Sequence, residues 1–96
     1  MITLQEIINI EQPEQLDKKE EVMYSVEIRT KQNFEMRDSI EMTKYGYENQ
    51  LQAQLTAYFE DQKNTDSFVL LKDGHSIKIS EIVHLKVEKG FQSYSL

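Results

Sequence analysis

The chain has no cysteine and no tryptophan, and only one proline and three glycines among its 96 residues. Without cysteine, a disulfide framework, a thiolate zinc or iron–sulfur site and a cysteine nucleophile are all excluded. Small secreted domains often depend on disulfides, so their absence points to the cytoplasm. No segment approaches the roughly 18 consecutive apolar residues that a membrane span needs, so no contact with a membrane is expected. Residues 1–10 include Gln5, Glu6 and Asn9 and lack a basic opening, so they do not read as a signal peptide. Gly46, Gly74 and Gly90 lie too far apart to cradle a phosphate. None of the serines sits in the glycine-flanked turn of a hydrolase nucleophile.

Positive charge is also scarce. The chain carries a net charge of −6, and the imbalance sits in its first part. Residues 1–42 hold ten acidic and five basic side chains, a net of −5, whereas residues 43–96 hold seven and six, a net of −1. Such a surface repels a phosphate backbone, so direct nucleic-acid binding is not expected. It serves solubility, and it can attract a basic protein.

The content that remains describes one small domain. A hydrophobic share of 39% supports a single thin core, and 96 residues are too few for two. Stability from so small a core is marginal, and a homo-oligomer or a tight partner would add to it. Thr3 and Glu6 have the spacing of a capping box, and Leu4, Ile7 and Ile8 follow on one helical face, predicting a helix over 4–10. Pro13 tends to end that helix, and the charged stretch 14–21 reads as a solvated helix or loop; residues 1–21 together form an acidic N-terminal segment.

From Val22 the period changes to two. Val22, Tyr24, Val26 and Ile28 share one face of a strand, and Phe34, Met36, Ile40 and Met42 share one face of the next, with a polar link at 30–33. Asp38 interrupts the second apolar face, which predicts a bulge or the end of the strand there. Thr43 is the expected N-cap of the main helix, whose apolar stripe is Tyr47, Leu51, Leu55, Tyr58 and Phe59. The stretch 68–88 then reads as strands over 67–72, 76–80 and 82–88, with an Asp73–Gly74 turn and a bend before Ile82. Gly90 is expected to end regular structure, leaving 90–96 as a C-terminal tail.

The fold expectation is therefore α+β, a small antiparallel sheet of four or five strands packed on one principal helix, with a short N-terminal helix. Residues 70–82, with their strand, Asp–Gly turn and Ile77-x-Ile79-x-x-Ile82 bend, are similar to the closing strands of small barrels and sheets such as Sm-like and SH3-like modules. That resemblance spans about one seventh of the chain and implies no functional residue. The cysteine-free, Glu/Lys/Gln/Asn-rich composition resembles small proteins of low-GC bacteria and their phages or mobile elements.

No residue set points to catalysis, and no cofactor is implied. His75 and His84 lack a metal-ligand spacing, and acidic pairs such as Glu20–Glu21 and Glu60–Asp61 lie in polar surroundings that would not raise a pKa. The expectation is a non-enzymatic protein-binding module with a regulatory or assembly role. The alternative is an acidic inhibitor that imitates DNA and blocks a nucleic-acid-binding enzyme. Partner contact is assigned to Glu14, Asp17, Glu20 and Glu21 for their charge, and to Tyr45, Phe91 and Tyr94 as aromatics outside the core pattern. The competing reading of the aromatic tail is a cover for a sheet edge.

Overall fold

A computed structural model describes residues 1–11 and 20–94. In chain order these form β1 (Ile2–Thr3), α1 (Leu4–Glu11), β2 (Glu20–Thr30), β3 (Glu35–Met42), α2 (Glu48–Glu60), β4 (Phe68–Leu70), β5 (Ser76–Lys78) and β6 (Ile82–Tyr94). Short 3-10 turns at Gln62–Asn64 and Ile79–Glu81 link α2 to β4 and β5 to β6. The class is α+β, but the strands do not make one antiparallel sheet of four or five. They form two sheets of three, ordered β3-β2-β6 and β1-β4-β5. β1 runs parallel to β4, and the other pairings are antiparallel. The division follows from the 3-10 turn at Ile79–Glu81, which redirects the chain after β5 so that β6 joins β2 instead of extending the smaller sheet.

β2 is central because its apolar positions repeat every second residue over its full length. Val22, Tyr24, Val26 and Ile28 are buried, while Ser25, Glu27 and Arg29 project to the other, wetter face. The buried row meets Leu4, Ile7 and Ile8 of α1, Leu51 and Leu55 of α2, Ile40 of β3 and Val87 of β6 in one core. Burying one such aliphatic side chain stabilises by about 1.5–3 kcal/mol. Val69, Leu71 and Ile77 tie the smaller sheet to the same core.

Local signals operate where expected. Thr3 Oγ1 accepts from the Glu6 N–H and Glu6 Oε1 from the Thr3 N–H, each at 3.1 Å, completing the capping box of α1. The β2–β3 and β4–β5 hairpins share one loop design. Asn33 N–H donates to Thr30 O and Gly74 N–H to Leu71 O, with Asn33 and Gly74 both at positive φ. A left-handed third loop residue suits asparagine or glycine and closes a three-residue hairpin.

Three expectations are corrected. Asp38 marks neither a bulge nor a strand end, because it pairs in register with Val26 inside β3. Thr43 does not cap α2. The helix starts at Glu48, with Tyr47 as N-cap and still packed against the core, because Gly46 at φ +75° breaks any helical path from Thr43. The fully buried Tyr24 fixes that start. Its hydroxyl donates to Lys44 O at 2.5 Å and accepts from the Tyr47 N–H at 3.1 Å. Finally, β6 does not stop at Gly90 but continues to Tyr94 alongside the start of β2.

Candidate functional site

The sheet β3-β2-β6 has two edges, and glutamine amides from the helices guard both. On β3, Gln5 of α1 acts as a substitute strand: its Nε2 donates to Glu41 O at 3.0 Å, and its Oε1 accepts the Glu41 N–H at 2.8 Å. The adjacent outward N–H, that of Ser39, donates to Asp38 Oδ1 at 2.9 Å. Asp38 therefore breaks the apolar pattern because it caps an edge. Burial pushes its carboxyl pKa above the ordinary range, against the Ser39 N–H and nearby Lys72, which favour the ionised form. On β6, the Val87 N–H donates to Gln52 Oε1 of α2 at 3.0 Å. Such caps oppose edge-to-edge pairing of strands.

The remaining edge of β6 borders a cleft. Its walls are Thr56, Phe59 and Glu60 of α2 and Ile82, Val83, His84 and Leu85 at the start of β6, enclosing about 300 Å³. A register shift between Arg29 and Thr30 on β2 creates a bulge, since Arg29 pairs with His84 and Thr30 with Ile82, leaving Val83 as the extra residue. Period-two alternation would turn Val83 inward with Leu85 and Val87; the bulge turns it out instead, 58% exposed. Phe59, Ile82 and Leu85 are partly buried against the core and form the apolar floor. Phe59 is steadied by an edge-on contact with Tyr58, ring centroids 6.2 Å apart.

The residues assigned to partner contact from the sequence fall elsewhere. Glu14 and Asp17 lie outside the described residues. Glu20 and Glu21 open β2, opposite Tyr94 and Ser93, and Phe91 pairs with Met23. Tyr45 is about half exposed in the loop after β3, whose last residue, Met42, pairs with Val22. The topology thus gathers the backbones of Glu20, Glu21, Phe91, Tyr94 and the Tyr45 loop at one end of the larger sheet, while the cleft lies at the other. Sequence reading placed Phe59 in the core stripe of α2 and passed over Val83 and the cleft, since a run of Ile82, Val83 and Leu85 reads as an ordinary core strand. The one signal that could have exposed the bulge was the irregular apolar spacing at Ile82 and Val83.

His75 is an exposed turn residue whose Nδ1 lies 2.9 Å from Asp73 Oδ2; its N–H bond to Asp73 holds that carboxyl below its usual range. His84 lies on the solvent side, opposite Arg29. Among the described residues, no group of three or more histidines and carboxylates is placed to hold a metal ion, and no helix is long and apolar enough to cross a membrane. Comparison with known protein-family models, curated proteins and solved structures gives no match for this chain.

Proposed function

We propose that this protein is a non-catalytic protein-binding module with a regulatory or assembly role, and that its partner seats in the cleft between α2 and the start of β6. The observation that carries the reading is Val83, an exposed aliphatic side chain set by a bulge on the rim of a cleft floored by Phe59, Ile82 and Leu85. Removing such a side chain from water stabilises a complex by up to about 1.5–3 kcal/mol, the scale of an interface hot spot. The bulge is a costly way to expose a valine unless something covers it.

A photoreactive residue placed at Val83 is expected to crosslink a discrete host protein that the same group at exposed Gln62, outside the cleft, does not reach. Val83→Glu should abolish capture of that protein while leaving the fold intact. Equal products from both positions, or none from Val83, would refute the reading. The second reading, an acidic inhibitor of a nucleic-acid-binding enzyme, rests on the acidic excess of residues 1–42, where Glu20 and Glu21 open β2. In the same experiment it requires capture that survives Val83→Glu but is lost on charge reversal at Glu20 and Glu21 and on raising salt.

A further inference from the structure

We infer that the occupant of the cleft is a short extended peptide of a partner protein, which pairs with the backbone of Leu85, lays one aliphatic side chain against Phe59 and carries a basic residue beside it. The inference rests on the protein-binding reading above and narrows it to one mode of recognition.

The backbone of β6 supplies the first argument. In an antiparallel strand, the N–H and C=O of one residue point to the same side, and the side alternates along the chain. The Val87 N–H reaches Gln52 rather than β2, so Val87 faces outward. Lys86 and His84, paired with Glu27 and Arg29, face β2, and Leu85 faces outward again. Both the N–H and the C=O of Leu85 are therefore directed into the cleft that Leu85 helps to line. A helix has no spare main-chain groups to meet them; an extended segment does, which is the basis of recognition by strand addition.

The length of the occupant is limited on both sides. The bulge at Val83 breaks the ladder geometry before Leu85, and the Gln52 amide occupies the next outward N–H after it. Between these two obstacles one residue of edge is open, enough for a single pair of backbone hydrogen bonds. A second copy adding the whole of its β6 to this one would meet both obstacles, so the structure favours a short peptide over self-association.

The lining supplies the chemistry of the side chains. Phe59, Ile82, Val83 and Leu85 offer an apolar seat, and among the described residues Glu60 is the only carboxylate on the walls. Its carboxylate favours a basic residue next to the aliphatic one. At about 300 Å³ the cleft has the volume of a small ligand site, not of a groove for a whole helix.

The test uses isotope-labelled full-length protein titrated with an acetylated, amidated hexapeptide, Ser-Lys-Val-Thr-Ser-Gly, and with versions N-methylated at each position in turn. The Leu85 amide resonance is expected to shift and to gain protection from exchange. N-methylation is expected to weaken binding by about tenfold or more at one position only, the residue whose N–H meets Leu85 O. Replacing the peptide lysine with glutamate, or Glu60→Gln in the protein, should also weaken it. A Leu85 amide that does not respond, or binding indifferent to N-methylation, would overturn the inference; crosslinking from Val83 that persisted would leave the broader reading standing. Concentration-dependent protection of Leu85 without peptide would overturn it in favour of a second copy.

Discussion

Replacing Gly90 with alanine tests the packing of β6 on β2 directly. Between Met23 and Ser25 the β2–β6 register shifts, so Tyr24 alone stands opposite Lys89 and Gly90, and β6 passes close over the buried row. A Cβ at Gly90 would lie 2.6 Å from Val22 Cγ1 and 3.1 Å from two ring carbons of Tyr24. Neither neighbour can yield freely, because Val22 is only 1% exposed, Tyr24 is fully buried, and the Tyr24 hydroxyl is held by Lys44 and Tyr47. Gly90 has no positive φ, so the cost is steric alone. Overpacking a rigid core costs about 1–3 kcal/mol. For a domain of this size that lowers the melting temperature by about 4–8 °C per kcal/mol. Gly74→Ala, by contrast, meets open space and suffers only backbone strain at φ +94°. The decisive measurement is a double-mutant cycle by chemical denaturation. Val22→Ala removes the methyl nearest the clash, so Gly90→Ala should cost less in that background, with a coupling on the order of 1 kcal/mol. If Gly90→Ala melts with the wild type, or if the two changes simply add, the close approach of β6 to Val22 is wrong.

Two further outcomes follow from single side chains. Tyr24→Phe keeps the buried ring but leaves Lys44 O and the Tyr47 N–H without their partner, and should cost about 1–2 kcal/mol by denaturant titration and loosen the start of α2. Burial also raises the Tyr24 pKa, so this bond persists through the ordinary phenol range. Asp38 is a charged edge cap whose folded pKa is raised by burial. The native state then binds its proton more readily than the unfolded chain, so stability falls as pH rises from about 3.9, the ordinary aspartate value, through the folded pKa. Asp38→Asn keeps the oxygen that accepts the Ser39 N–H and removes the charge. It should match or exceed the wild type at pH about 7, the difference closing toward pH about 4 in denaturation curves recorded across that range; a variant less stable at neutral pH would show that the attraction of nearby Lys72 outweighs desolvation.

What could be read from residue order was what neighbouring residues decide between themselves. Thr3 and Glu6 satisfy each other's N–H groups within one helical turn, and the alternation from Val22 to Ile28 selects a one-sided strand whatever it packs on. The Asp73–Gly74 turn and the bend before Ile82 are equally local. Gly90 looked like a terminus because glycine often ends an element, yet here its missing Cβ admits Val22 from a strand nearly seventy positions earlier in the chain. Asp38 looked like a fault because only the edge position of β3 gives a half-buried carboxylate an N–H to cap.

Residue order by itself determined the class of the fold, the capped start of α1 and the buried faces of α1 and β2, since periodicity and caps depend on separations of two to four residues; it put Phe34 on an apolar face, yet Phe34 is 62% exposed ahead of β3. Only the tertiary structure decided that the strands divide into two sheets, that glutamines cap positions on the edges of the larger one, and that a bulge leaves Val83 beside Phe59. Those outcomes depend on which backbone groups remain unpaired after distant segments meet, and a linear pattern holds no record of that pairing.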